Sequence, residues 1–207
     1  MALVKYNNNS ISAITTAGTL ASGAMVLIKS QTASSSATID FLNGTSDVVF
    51  DGTYPIYKFS FINMHPATDN VKWTFQVDTG TNTSYNQTIT STDFISQHSE
   101  NDSATELNYA SANDQEQGTS FQPIGQLVGN GNDECVSGSM LIFAPSNTTF
   151  VKHFAANTNV YRQDDYTREH FTGGYVNTTT ALTRVRFKFD SGNIDAGTIK
   201  LYGIKDS

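Results

Sequence analysis

Carboxylates, histidines and a single thiol are the side chains through which this sequence could do chemistry. Two pairs of adjacent carboxylates occur, Asp133-Glu134 and Asp164-Asp165. Glycosidases use paired carboxylates, but adjacent residues of an extended segment point in different directions, and the acid and base usually come from separate elements. The thiol of Cys135 follows two acidic residues, which oppose the negative charge of a reactive thiolate. We therefore predict a solvated surface for the carboxylates and a packing role for Cys135.

Histidine and glycine patterns also point away from catalysis. The chain has four histidines far apart in sequence, at His65, His98, His153 and His170. That spacing does not match a structural zinc site, and the apolar run around His153 predicts a core or interface position. Gly138-Ser139 lacks the second glycine of a nucleophile elbow, and Gly173-Gly174 lacks the Lys-Ser/Thr partner of a phosphate loop. Loop aspartates could bind an incidental Ca²⁺, although no EF-hand spacing is present. We expect no enzyme activity, cofactor or metal.

One stretch carries side chains suited to binding. Residues 161–174 are predicted to form a polar, aromatic-rich loop. Aromatic and arginine side chains on an adaptable loop are common anchors in protein or sugar recognition. The alternative interpretation is that half of them pack beneath the loop. The candidate contact residues are Tyr161, Tyr166, Arg168, His170, Phe171 and Tyr175.

Short β-strands are the elements that would position these side chains. The polarity of the chain comes mainly from Thr, Ser and Asn, charged residues make up only 15% and aromatic residues 11%. Thr, Phe and Tyr suit a pleated, half-buried surface, and turn signals such as Asn43-Gly44 and Asp51-Gly52 interrupt the alternation. We count roughly nine to eleven strands, with turns about every 8 to 15 residues. This pattern predicts an all-β fold, an antiparallel β-sandwich or barrel.

Individual segments differ in how clearly they indicate a strand. Residues 54–64 give the clearest pattern, with a slip of the alternation at Phe61-Ile62 that indicates a bulge. Residues 71–77 alternate with period two, and residues 47–50 are predicted as a shorter strand. The polar stretch 93–115 is predicted to hold a helical turn or a long loop.

The N-terminal residues differ in composition from the rest. Residues 1–38 are rich in Ala, Gly, Ser and Thr and contain one strand-like run at 24–29. We predict either a flexible leader followed by an edge strand or a largely extended arm that orders on a neighbouring subunit. The β-sandwich domain is then expected to span residues 39–207.

Charge and hydropathy exclude several classes of partner. The formal net charge is −7, whereas binding to a nucleic-acid backbone requires clustered Lys and Arg. No apolar run approaches the roughly 20 residues that span a bilayer. A single cysteine cannot form an intramolecular disulfide. We therefore expect no nucleic-acid partner and no membrane insertion.

Four segments together resemble a family of small structural proteins encoded by marine tailed bacteriophages, including those of cyanobacteria. The segments are residues 1–7 (MALVKYN), 27–35 (LIKSQTASS), 57–69 (YKFSFINMHPATD) and 191–204 (SGNIDAGTIKLYGI). The similarity spans most of the chain and is least distinctive at about 80–180. The closing strand, 197–204, is its most specific fragment, and the family has no catalytic motif to carry over.

The resemblance implies a virion protein, synthesised in the host cytoplasm, with a jelly-roll-like sandwich. It implies other virion proteins as partners and a homo-oligomer, commonly a trimer. A tail-fibre or tail-tip adhesin that presents loops to a host glycan or protein is the first expectation. A head-decoration or head-fibre protein is the alternative, and a stand-alone carbohydrate-binding module is a further one. A hydrolase is disfavoured because the chain is short and lacks a convincing acid pair.

Overall fold

The computed structural model describes residues 24–205, which form twelve β-strands. The strands are β1 (Met25–Thr32), β2 (Ile39–Leu42), β3 (Ile56–Pro66), β4 (Val71–Thr79), β5 (Ile89–Ser99), β6 (Thr105–Tyr109), β7 (Gln122–Val128), β8 (Val136–Phe143), β9 (Lys152–Tyr161), β10 (Tyr166–Val176), β11 (Leu182–Phe189) and β12 (Ile194–Ile204). They make two antiparallel sheets, which confirms the predicted all-β sandwich. The jelly-roll-like topology stays a prediction. Within 24–205, no helix is long and apolar enough to cross a bilayer.

The two sheets differ in size. The large sheet has eight strands in the order β1-β12-β3-β8-β9-β10-β5-β6, and the small sheet has four in the order β2-β11-β4-β7. Strand β1 pairs with β12 from Met25 to Thr32 and lies at the edge of the large sheet. Residues 25–32, the edge strand expected within the predicted 1–38 arm, thus belong to the large sheet, whereas residues 1–23 of that predicted arm lie outside the described residues.

The core between the sheets is built from aromatic side chains. Phe187 of the small sheet packs on Phe59 of the large sheet with 5.0 Å between ring centroids, and Trp73 stacks on Phe187 at 5.9 Å. Phe75 meets Phe154 across the sandwich at 4.9 Å. Each of these rings removes about 150–250 Å² from water, so this cluster supplies a large part of the hydrophobic stabilisation.

The clearest sequence predictions agree with the structure. Residues 54–64 correspond to β3, and the register between β3 and β8 shifts between Phe61 and Met64, which confirms the predicted bulge. At the bulge Asn63 has a φ of 49°, and its backbone N–H donates to Ser137 Oγ at 2.9 Å. Residues 71–77 correspond to β4.

Two sequence predictions are wrong, and a third is wrong in part. Residues 47–50 form no strand, because positive φ angles at Ser46 and Asp47 turn the chain. Residues 93–115 contain most of β5 and all of β6 instead of a helical turn or long loop. His153 is exposed, so the core position predicted for it is wrong, whereas the alternative interface position stays a prediction. Its neighbour Lys152 is the buried residue, with Nζ donating to the carbonyl of Phe150 at 2.7 Å. Apolar content in a short run therefore did not show which residue faces inward.

Candidate functional site

The predicted aromatic loop is a pair of strands in the structure. Strands β9 and β10 pair antiparallel from Tyr161 and Thr167 onward, and residues 162–165 form the turn that joins them. Side chains of β10 alternate between the inner and outer faces of the large sheet. The loop prediction was wrong because β10 carries polar side chains on both faces. Its residues therefore divide into a buried set and an exposed set.

The buried set includes His170, which belongs to a closed hydrogen-bond network. Gln126 donates its backbone N–H to His170 Nε2 at 3.2 Å, so His170 Nδ1 is the donor to Asp93 Oδ2 at 3.0 Å. Thr172 and Asn113 also donate to Asp93, each at 3.0 Å. His170 and Asp93 are fully buried. The prediction of His170 as a surface contact is therefore wrong.

Arg168 is the second inward residue predicted as a contact. Its Nε donates to Gln97 Oε1 at 2.9 Å, and its Nη1 donates to Gln126 Oε1 at 3.3 Å. Burial is the main cause and the positive charge of Arg162 the second cause that lower the pKa of Arg168 to about 10. Because Arg168 is buried, it holds β10, β5 and β7 together and does not present a charge to a partner.

The exposed set of β10 includes Phe171, which the structure brings together with aromatic residues of the adjacent strands. Phe171 pairs with Phe94 of β5, and Phe94 pairs with Tyr109 of β6. The rings of Phe171 and Phe94 stack with centroids 4.9 Å apart and planes 13° from parallel. Phe171, Phe94 and Tyr109 are 39%, 45% and 53% exposed. We call these three residues the aromatic patch.

Polar side chains border the aromatic patch. Asn157 of β9 lies directly beside Phe171 in the register. Asn159, two residues on, donates its Nδ2 to Glu169 Oε2 at 2.9 Å. Tyr109 donates its hydroxyl to Asp114 Oδ2 at 2.5 Å, and this bond raises the pKa of Tyr109. The patch thus combines an apolar centre with a polar border, which is the usual make-up of a contact surface.

The three predicted tyrosines lie elsewhere. The ring of Tyr166 lies beneath the guanidinium of Arg162 at the 162–165 turn, with 4.6 Å between Arg162 Cζ and the ring centroid. Tyr161, at the same turn, has its hydroxyl 3.5 Å from Asp165 Oδ1. Tyr175 contacts the ring of His153 at 6.0 Å, about 30 Å along β10 from Tyr166 by strand geometry. The structure therefore does not gather the six predicted residues into one site.

Phe94 and Tyr109 are patch residues that the sequence reasoning missed. Both lie in residues 93–115, which were predicted to hold a helical turn or a long loop because the stretch is polar. A signal was present in residues 105–109, where Thr105, Leu107 and Tyr109 alternate with Glu106 and Asn108. Period-two alternation of this kind predicts a strand.

One of the two carboxylate pairs lines a separate pocket together with the thiol. Asp133, Glu134 and Cys135 line an open pocket of about 540 Å³ together with His65. Burial raises the pKa of the Cys135 thiol, which opposes thiolate formation. Asp164, from the other carboxylate pair, accepts a hydrogen bond from Arg162 at 2.7 Å. Among residues 24–205, no group of three or more His, Cys, Asp or Glu side chains is arranged to hold a metal ion.

Comparisons of this chain with family models, with curated proteins and with solved structures find no match.

Proposed function

We propose that this protein is a structural component of a tailed-phage virion that acts by contact, and that the aromatic patch is its contact surface. The observation that carries the proposal is the continuous row of Tyr109, Phe94 and Phe171 on the outer face of the large sheet. Single exposed apolar side chains are ordinary on protein surfaces. A contiguous group with a polar border is typical of a surface that another molecule covers.

The state of the ionisable residues favours contact over catalysis. Asp93 and His170 resemble the orienting pair of a catalytic triad, but both are fully buried and the remaining nitrogen of His170 is occupied by the backbone of Gln126. A catalytic base must reach the proton that it abstracts. We therefore infer that the Asp93–His170 pair has a structural role.

Ring geometry favours a protein partner over a sugar. In the stacked pair, Phe94 and Phe171 each turn one face towards the other ring, so part of the flat area that could lie against a sugar ring is already used. Apolar ring edges remain available to apolar side chains, and aromatic residues are enriched in protein interfaces. We therefore propose a protein partner, either another virion protein or a protein of the host surface.

The sequence resemblance supports the virion assignment. A tail-fibre or tail-tip position, in which the patch meets a host protein, is the expected location. A position on the head, in which the patch meets a capsid protein, is the alternative. Antibody labelling of this protein on imaged particles distinguishes the two, and particles of the encoding phage that lack the protein would contradict the proposal.

Substitution of the patch tests its role directly. A Phe94→Ser/Phe171→Ser variant should lose at least about tenfold in incorporation into particles or in binding to host cells, because truncated hot-spot aromatics each cost about 2 kcal/mol or more. Both side chains are partly exposed, so the variant should keep its fold, with a loss of about 0.5–1.5 kcal/mol from the ring pair.

A matched control uses Phe150, an exposed phenylalanine outside the patch, in the loop between β8 and β9. The Phe150→Ser variant should assemble and bind like the wild type. Equal losses in both variants, or no loss in the double variant, would contradict a role for the aromatic patch. Glycan binding that depends on Phe94 and Phe171 would replace the protein partner with a carbohydrate.

A further inference from the structure

Among the described residues 24–205, no strand pairs with the outer side of the β6 backbone. The N–H of Ala110 donates to the carbonyl of Asp93 at 2.8 Å, and the N–H of Ser99 donates to the carbonyl of Ala104 at 3.0 Å. Both bonds join β6 and its ends to β5. In an antiparallel strand, the backbone N–H and C=O groups of alternate residues point to opposite sides. The backbone groups of Glu106 and Asn108 therefore also bond to β5. The N–H and C=O groups of Thr105, Leu107 and Tyr109 therefore point away from the sheet, where the strand order ends.

The other sheet edges in residues 24–205 carry features that discourage pairing with another chain. Strand β1 has a register shift between Leu27 and Lys29 and presents that lysine. Strand β2 has only four residues, and Gln31 donates to the carbonyl of Asp40 within it. Strand β7 contains Pro123 and two register shifts against β4. Bulges, lysine, proline and short length are the usual protections of edge strands.

Strand β6 lacks the bulge, lysine and proline of those edges, and with five residues it is longer than β2. It pairs with β5 without a register shift, contains neither proline nor lysine, and exposes all five residues. Leu107, at its centre, is 74% exposed. An unprotected edge with a central apolar side chain is a template for another strand.

We propose that β6 pairs with β6 of a second copy of this chain, antiparallel about a two-fold axis at Leu107. In this register Leu107 lies opposite its own copy, and Thr105 lies opposite Tyr109 at both ends. These are the residues whose backbone groups are free, so all three residue pairs exchange two hydrogen bonds each. The interface is isologous, and it closes with two subunits.

Side-chain charge favours this register over its neighbours. An axis at Leu107 places Glu106 of one copy opposite Asn108 of the other. Asn108 Nδ2 already donates to Glu106 Oε1 within the strand, so the same pair of groups is complementary across the axis. An axis at Glu106 would oppose two carboxylates, which destabilises a strand pair. Axes at Glu106 or Asn108 would also leave free backbone groups of β6 unpaired.

The pairing would join two eight-stranded sheets into one continuous sheet. Directly opposed residues of antiparallel strands point to the same face, so the aromatic patches of both copies would lie on one surface. This inference depends only on β6, and it holds whether or not the proposed virion role does.

Mass measurement of the purified chain tests the pairing. The wild type should rise from the monomer mass of 22.5 kDa towards twice that value as concentration increases. Leu107→Lys and Leu107→Glu variants should each stay monomeric under the same conditions, because each opposes two like charges at the axis. An equimolar mixture of the two variants should recover the dimer, since only this register places position 107 opposite itself.

Phe150→Lys is the matched control, because it puts the same charge at another exposed apolar position; it should dimerise like the wild type. Thermal unfolding of dilute samples should be nearly the same for all variants. The inference would be overturned if the wild type stays at 22.5 kDa or forms a trimer. It would also be overturned if the Leu107→Lys variant dimerises as strongly as the wild type. A monomeric wild type whose binding still depends on Phe94 and Phe171 would overturn the pairing alone and leave the proposed function standing.

Discussion

The buried network around Asp93 gives a quantitative test of the assignment of His170 to a structural role. Asp93 Oδ2 accepts from His170 and Asn113, and Oδ1 accepts from Thr172. Asp93→Asn replaces one of these oxygens with an amide nitrogen. At the Oδ2 position the nitrogen faces the donors of His170 and Asn113, and at the Oδ1 position Thr172 must turn its hydroxyl to accept and then loses its own acceptor. An unsatisfied buried donor costs about 1–3 kcal/mol, and hydrogen bonds to a charged group are worth about 1.5–3 kcal/mol. We expect Asp93→Asn to lower the free energy of unfolding by roughly 3 kcal/mol.

Urea unfolding monitored by the fluorescence of Trp73 measures this loss. Trp73 is the single tryptophan and is fully buried, so unfolding exposes it to water. With a dependence on urea of about 2 kcal/mol per M, a loss of 3 kcal/mol lowers the midpoint by roughly 1.5 M.

A second Asp–His pair in the chain provides the control. His98 Nε2 lies 3.2 Å from Asp102 Oδ1, and the Asp102 side chain is almost fully exposed. Asp102→Asn should therefore cost no more than about 1 kcal/mol. If Asp93→Asn and Asp102→Asn shift the midpoint equally, the network contributes nothing to stability and the reasoning about His170 fails.

Three further predictions concern the core and the titratable groups. Phe187→Ala should lower the free energy of unfolding by about 3–5 kcal/mol, measured by urea unfolding, because the ring contacts Phe59, Phe61 and Trp73 and the cavity cannot close fully. Burial raises the pKa of Tyr57 to about 12, so the stabilisation from its neutral hydroxyl is complete below pH 10 and is lost as pH rises from about 10 to 12. The free energy of unfolding of Tyr57→Phe should therefore fall less steeply with pH in this range. A slope equal to that of the wild type would contradict the raised pKa of Tyr57. Because burial raises the pKa of Cys135, its reaction with a thiol reagent at pH 8 should be slower in the native protein than in urea; equal rates would show an accessible thiolate.

Strands with apolar inner faces could be predicted from the sequence. In β4, apolar side chains that face the core alternate with polar ones, and this pattern was sufficient to predict the strand. The apolar residues are Val71, Trp73, Phe75 and Val77, and the polar ones are Lys72, Thr74 and Gln76. The bulge in β3 could also be predicted, because Phe61-Ile62 breaks an otherwise regular alternation. Period-two alternation is a reliable signal where one face meets an apolar core.

Strands β5 and β10 could not be predicted because their inner faces are partly polar. The eight-stranded sheet is wider than the four-stranded sheet, in which β7 is the edge strand. At this edge, the inward side chains of β5 and β10 form hydrogen bonds with Asn113, which precedes β7 in the chain, and with Gln126 of β7. Asp93, Arg168 and His170 therefore occupy inward positions that the hydrophobic pattern assigns to solvent.

The candidate site shows the same limit. Phe171 was a candidate from the sequence, but its neighbours Phe94 and Tyr109 come from strands more than sixty residues away. Their arrangement depends on the registers of β5, β6 and β10, which the sequence pattern alone does not specify. The registers of those three strands in the structure were needed to find the aromatic patch.

Hydroxyl-radical footprinting of the aromatic patch tests the central claim most directly, since it compares the same side chains in the free protein and in purified particles of the encoding phage. If the patch is the contact surface, oxidation of Phe94, Tyr109 and Phe171 should fall at least about fivefold in the particle, as expected for aromatic side chains that become buried in an interface. Phe150, which is 68% exposed and outside the patch, should be oxidised equally in both samples. Equal oxidation of the patch in free and assembled protein, or particles without the protein, would contradict the account.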